Sequence, residues 1–290
     1  MQKNGEVKVD TGNYRPIWIV EDVHNKVDTL RLIDACIKNS VKFTVLTVEE
    51  ILTLSNTHVS ILKKNPVIFY GSLHFCRVAE KYDLIPGIQI DYEATKCHKY
   101  LPTIRARTIH TKYGFHTLDQ LIYNSDMLFE MYGDEIFIKP NISTKAFSGQ
   151  VITKENIDSL IHEVIHLNDD TLCLLSSANK NKTENEYRFF VTNNKIITAT
   201  QYQPIIYPVV PDGAYDFVKQ VQPFFFNLSN FKSPYEQIFS IDVCEMKDGS
   251  FKVVEIGGFN CAGLYDIDYD KLVEYNTELA IEEFKQYQNI

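Results

Sequence analysis

The chain has no apolar run near the roughly 18 residues that a membrane-spanning helix requires. Its polar opening, M-Q-K-N-G-E-V-K-V-D, lacks the apolar segment of a secretory signal. The six cysteines (Cys36, Cys76, Cys97, Cys173, Cys244 and Cys261) are scattered, with no C-x-x-C pair. That excludes a zinc ribbon and a redox dithiol, and it points to reduced thiols in the core. Positive charge is in deficit: 29 Lys and Arg stand against 38 Asp and Glu, a net charge of -9. Such a balance disfavours general adhesion to nucleic acid or to an anionic membrane. Neither G-x-x-x-x-G-K-[S/T] nor G-x-G-x-x-G occurs, so no phosphate site of the P-loop or dinucleotide type is written here. There is no internal repeat and no low-complexity segment. These absences lead us to expect a cytoplasmic protein.

What is present is ample core material: 290 residues, 44% hydrophobic and 12% aromatic, enough for about two domains. Residues 15–21, 41–46 and 66–70 read as buried strands. The spacing of Val27, Leu30, Ile33 and Ile37 predicts a helix between the first two, and further helical segments are expected over 48–62 and after Gly71-Ser72. Strand and helix alternating in this way favour a parallel sheet with crossovers. Residues 86–116, the most basic part of the chain, read as a connection. Thr117 is placed to cap a helix, as is Thr153 for one running from Lys154. Later, 172–177 reads as a strand, 186–192 with 195–201 as a hairpin, 215–221 as a short helix, 238–245 with 251–256 as a second hairpin, and 271–287 as a closing amphipathic helix. The fold class expected is α/β, with α+β character in the C-terminal half.

Candidate chemistry begins in residues 136–151, I-F-I-K-P-N-I-S-T-K-A-F-S-G-Q-V. A short strand delivers Lys139, Pro140 turns the chain, and a polar loop carries Lys145. Two ammonium groups among small residues suit a polyphosphate, although a surface hairpin has the same pattern. His162-Glu163-Val164-Ile165-His166 matches the H-E-x-x-H zinc-protease signature. The apolar stripe of that segment leaves His162, Glu163 and His166 mainly on the polar side, and no third ligand follows. Glu186 and Arg188 share one face of a strand, two residues apart, with a cross-strand ion pair as the plain alternative. Asp242 and Glu255 lie in apolar runs of paired strands, a costly placement for carboxylates unless they are paired or hold a cation. Two carboxylates there suit Mg²⁺, with Asn260 as a neutral oxygen ligand.

In their order along the chain these fragments resemble the ATP-grasp superfamily. The carriers are I-F-I-K-P with K-A-F-S-G, then L-L-S-S, E-Y-R-F-F-V-T-N-N-K-I-I and S-I-D-V-C-E-M-K-D-G-S-F-K-V-V-E-I-G-G-F-N. The K-A-F-S-G loop and the ending N-C-A-G-L-Y look like a phage-associated branch characterised by two arginines and a lysine. The resemblance implies an N-terminal α/β domain over 1–125, a central lobe over 126–177 and a C-terminal lobe over 178–290. It implies an ADP-forming ligase that binds ATP and Mg²⁺ and joins a carboxylate to an amine through an acylphosphate. The substrate would be a peptide, an amino acid or a modified nucleobase. Carried over by position, Lys139 and Lys145 would contact phosphates, and Leu174, Leu175, Ser176 and Ser177 would form a hinge beside adenine. Glu186 would join the nucleotide site, and Arg188 would stabilise the γ-phosphate or acylphosphate. Asp242, Glu255 and Asn260 would hold the metal. One departure is clear: the family often has Asn two residues after the position of Glu255, and here that place is Gly257. An ATP-binding protein without turnover and a zinc protease are the alternative readings.

Overall fold

The computed structural model describes residues 14–22, 26–89, 91–142, 146–164, 166–168, 170–192, 194–204, 209–226 and 238–288. Its elements sort into three four-stranded sheets. The first follows β1 (Ile17–Glu21), α1 (Lys26–Lys38), β2 (Lys42–Leu46), α2 (Val48–Leu52), α3 (Asn56–Leu62), β3 (Val67–Tyr70), α4 (Leu73–Glu80) and β4 (Pro86–Gly87). The strands are parallel in the order β2-β1-β3-β4. Local chemistry fixes the helix starts. Thr47 and Glu50 form a capping box at α2, and the Ser72 hydroxyl accepts from the Phe75 N–H at α4.

The basic stretch is structured, contrary to the expectation of a bare connection. Residues Cys97–Ile104 form α5, and Tyr113–Thr117 form β5. Tyr100, Leu101 and Ile104 of α5 are fully buried, in one core with Phe189, Val218 and Ile241. The second sheet takes β5, β6 (Ile136–Pro140), β7 (Gln150–Ile152) and β8 (Leu172–Ser177) in the antiparallel order β5-β8-β6-β7. Because β5 belongs to it, this layer begins ahead of residue 126. Thr117 makes a full capping box with Gln120 at α6 (Leu118–Tyr123), and α7 (Ser125–Tyr132) leads into β6. Pro140 closes β6 opposite Cys173, as the last residue of the strand. The helix expected from Lys154 starts later: α8 is Ile157–Val164, with Asn156 accepting from the Thr153 N–H at 2.7 Å.

The third sheet is the antiparallel set β10-β9-β11-β12, made of β9 (Lys182–Val191), β10 (Ile196–Gln203), β11 (Phe239–Met246) and β12 (Phe251–Gly258). Between β10 and β11 lies α9 (Asp212–Phe226), longer than the short helix expected. The alternation of β9 splits the roles of its residues. Tyr187, Phe189 and Val191 sink into the core shared with α5 and α9, while Phe190 packs with Trp18, Tyr70 and Phe259 against the first sheet. Burying each phenylalanine contributes about 2–3 kcal/mol. The final helix α10 (Tyr269–Gln288) returns to the N-terminal layer, where Trp18 Nε1 donates to Thr277 Oγ1 at 3.0 Å. The first and last parts of the chain therefore share one core.

Candidate active site

The side of β9 that carries Phe190 also carries Glu186 and Arg188. Asp242 on β11 lies in register between Arg188 of β9 and Glu255 of β12. Three charged residues thus stand abreast on adjacent strands. The Arg188 Nε and one terminal nitrogen donate to the two Asp242 oxygens at 2.8 and 2.7 Å, and the other terminal nitrogen donates to the Gly263 carbonyl at 3.1 Å. Both side chains are nearly out of water, at 12% and 3% exposure. Burial pushes the Asp242 carboxyl up, while the guanidinium pulls it down. Burial opposes the Arg188 charge too, but Asp242 outweighs it and holds the pKa above the ordinary value. The guanidinium lies 5.3 and 5.4 Å from the ring centres of Tyr202 and Tyr265, which stack on each other. Tyr265 has φ 55, strained for a non-glycine residue, where it brings its ring over this site. Glu186 is buried and bound by Lys182 and by the Tyr202 hydroxyl, which also reaches Asp242 at 3.4 Å.

The second sheet supplies the opposing wall. Lys139 on β6 donates to Glu255 at 2.7 Å, a contact between sheets. Burial works against the Lys139 charge, but Glu255 overrides it and raises its pKa. Beside this pair is a cleft of about 260 Å³, lined by His110, Phe137, Phe147, Ser148, Val254 and the Lys139–Glu255 pair. His110 stacks on Phe137 with ring centres 5.3 Å apart. Strand alternation divides the expected hinge. Leu174 and Ser176 pair with Lys139 and Phe137, on the side facing the cleft. Leu175 packs into the core behind the sheet, and the Ser177 hydroxyl donates to the Tyr132 carbonyl at 2.5 Å. The side chains of Leu175 and Ser177 therefore turn away from the cleft.

Asn260 requires correction as a metal ligand. It is fully buried, its oxygen accepts from the Gln89 N–H at 2.7 Å, and its nitrogen donates to the Phe69 carbonyl at 2.6 Å. It fastens the end of β12 to the first sheet. A side chain at Gly257 would meet Ser240 Oγ at 3.0 Å, because Ser240 is its partner across the ladder. Lys145 lies outside the described residues. The zinc motif does not assemble: α8 ends at Val164, before His166, and His162, Glu163 and His166 are not drawn into any cleft. Glu163 accepts from the Gln150 amide at 2.9 Å. Among the described residues no three His, Cys, Asp or Glu side chains are grouped to hold a metal. No helix among them is long and apolar enough to cross a membrane. Sequence reasoning passed over Lys182, Tyr202, Tyr265, His110 and Phe137. Only Tyr202 left a signal, since it follows directly on the strand expected to pair with E-Y-R.

No curated protein matches the chain in sequence. In structure the chain is similar to D-cycloserine synthetase DcsG, with a TM-score of 0.61 and 14% identity over 94% of this chain and 99% of that one. It is similar to D-alanine–D-alanine ligase from Bacillus anthracis, with a TM-score of 0.56 and 13% identity over 94% and 99%. It is also similar to the ATP-grasp ligase PsnB, solved with a phosphomimetic variant of its minimal precursor, Mg and ADP, with a TM-score of 0.53 and 9% identity over 94% and 98%. At such identities these likenesses establish a shared fold. The sequence model of one family matches residues 81–275, a span running from the end of α4 into α10 and holding Lys139, Arg188, Asp242 and Glu255. The chain belongs to that family, the third ATP-grasp domain family of the clade named for two arginines and a lysine.

Proposed function

We propose that the protein is an ATP-dependent, ADP-forming ligase that joins a carboxylate to an amine through an acylphosphate. One observation carries this reading: Arg188, Asp242 and Glu255 stand abreast on one sheet, and Lys139 meets Glu255 from the other wall of an open cleft. Phosphoryl transfer needs little covalent help from a protein, but it does need its charge neutralised and its groups aligned. Lys139 would contact phosphate as a point charge. Arg188 would stabilise the transferred phosphoryl group, since its pairing with Asp242 commits only part of its five-donor fork. Leu174 and Ser176 would flank the nucleotide, with Lys145 over the phosphates and Glu186 beside the sugar. The phage-associated setting is part of this proposal and rests on the K-A-F-S-G and N-C-A-G-L-Y segments.

The donor set also fits a magnesium ion. Asp242 and Glu255 are cross-strand partners, and Mg²⁺ binds through one or two carboxylates, completing its shell with phosphate oxygens and water. Bound there, it would neutralise charge on the nucleotide. The substrate carboxylate would attack the γ-phosphorus, ADP would leave, and the acylphosphate carbon would then accept the amine with release of phosphate. The named neighbours handle substrates ranging from D-alanine to a precursor, so size alone does not choose the acceptor.

The test is calorimetric titration with ATP and Mg²⁺, followed by assay of ADP release with carboxylates and hydroxylamine as a general amine. Binding in the micromolar range and a hydroxamate product are expected. Folded protein that binds no ATP would end the proposal.

A further inference from the structure

We infer that His110 reads the nucleotide base: its imidazole packs against the purine of a nucleotide in the cleft and donates from Nε2 to a ring nitrogen of that base. This rests on the nucleotide reading above, but His110 lies outside every segment that carries the family resemblance.

The backbone fixes the residue first. The Ile109 N–H donates to the Val253 carbonyl at 2.9 Å, and the His110 N–H donates to Thr108 Oγ1 at 3.1 Å. Thr108 itself bridges to Val253. His110 is thereby stitched to β12 two residues before Glu255, while its ring stacks on Phe137 of β6. It touches both walls of the cleft and is only 6% exposed.

Hydrogen-bond bookkeeping then assigns its proton. His110 Nδ1 lies 3.2 Å from Ser176 Oγ. Among the described residues the Ser176 hydroxyl makes no other bond, so its own proton goes to Nδ1 and the imidazole hydrogen sits on Nε2. That buried Nε2 has no partner in hydrogen-bonding geometry, and the Val254 carbonyl offsets its burial only in part. An unmet buried donor is costly, and an arriving acceptor would relieve it. Burial, with the Lys139 charge second, pushes the His110 pKa down to about 3, so the ring is neutral at working pH. A neutral donor in a wall of Phe137, Phe147 and Val254 suits an uncharged heterocycle. The phosphates belong at the Lys139 end.

The probe pair is ATP and inorganic tripolyphosphate, each with Mg²⁺. The second keeps the phosphates and lacks the base. Titrations use the full chain as wild type, His110→Phe, His110→Ala and Ser176→Ala, with circular dichroism and melting curves to confirm folding. His110→Phe keeps the ring face and loses the donor, so its ATP affinity should fall about tenfold. His110→Ala should lose more, and Ser176→Ala less. Tripolyphosphate affinity should hold within about twofold in all three. Unchanged ATP affinity in folded His110→Phe and His110→Ala overturns the inference, as does an equal loss for both probes. A wild type that binds tripolyphosphate but not ATP also overturns it. If the wild type binds neither probe, the nucleotide reading itself fails.

Discussion

Arg188 and Asp242 lie on neighbouring strands of one sheet and are joined by two hydrogen bonds, whereas Lys139 reaches Glu255 from another sheet through a single nitrogen. The first pair is sealed, with side-chain exposures of 12% and 3%. In the second, Glu255 remains 39% exposed. Both join a cation to a proposed metal ligand, yet their settings ask different things of them. A buried bidentate pair has little to gain by opening, because each charge would be left without water. A pair at the mouth of a cleft can trade partners cheaply, since solvent or a ligand replaces what is lost. We read the first as the fixed reference of the site and the second as its exchangeable part.

The largest expected effect tests the fixed pair. Arg188→Met strands Asp242 in the sheet and should lower unfolding stability by about 3–5 kcal/mol, the usual cost of halving a buried pair. The double change Arg188→Met with Asp242→Leu should cost clearly less than the two single changes added together, because it leaves no orphan charge. Urea unfolding followed by circular dichroism measures both. If Arg188→Met stays within about 1 kcal/mol of wild type, the distinction between the pairs collapses.

That distinction also marks how far the sequence could be read. E-Y-R-F-F-V alternates strictly, so the shared face of Glu186 and Arg188 was legible from strand geometry alone. The hairpin around Lys247-Asp248-Gly249 placed Asp242 and Glu255 on adjacent strands, and they are direct partners. What stayed hidden was tertiary. Asn260 reads as an oxygen ligand because it follows Glu255 so closely, but the first sheet claims its whole amide, and nothing local announces that. The helix α5 was lost because its buried stripe of Tyr100, Leu101 and Ile104 sits among Lys96, His98, Lys99 and Arg105. His110 has no motif at all. Its meaning comes from Phe137, Ser176 and Val253, which reach it from three other strands.

A smaller effect separates His110 from the charged pairs beside it. Its pKa is about 3 in the folded protein, against about 6.5 when unfolded. Between these values the unfolded chain binds more protons, so stability rises with pH across that window. The contribution is complete above about pH 6.5 and drains away as pH falls toward about 3. His110→Phe lacks this group. From about pH 6 to about pH 5 the wild type should therefore lose more stability than the variant, by about 1 kcal/mol at most. Parallel urea midpoints at several pH values read the difference. Equal slopes would show that His110 is not held neutral, and its contrast with the ionised neighbours would fail.

The smallest effect on stability, and the sharpest on function, belongs to the exchangeable pair. Glu255→Gln keeps the shape of the side chain and removes its charge. Because Glu255 is 39% exposed, the loss of the contact should cost only about 1 kcal/mol or less. The consequence for binding has two signs. In the wild type, ATP without metal must break the Lys139–Glu255 contact and face the Glu255 carboxylate. In Glu255→Gln the lysine no longer has that competing anion, and one repulsive charge is gone. Metal-free ATP should then bind several-fold more tightly than it does to wild type. Addition of Mg²⁺ should bring less gain, because one proposed ligand is missing. Lys139→Met should do the opposite: it weakens ATP with or without metal, at a similar small cost in stability. Calorimetry with and without chelator gives all of these quantities. A Glu255→Gln variant that loses metal-free ATP affinity would mean that Glu255 supports the nucleotide directly, and the pair would then be as fixed as Arg188–Asp242.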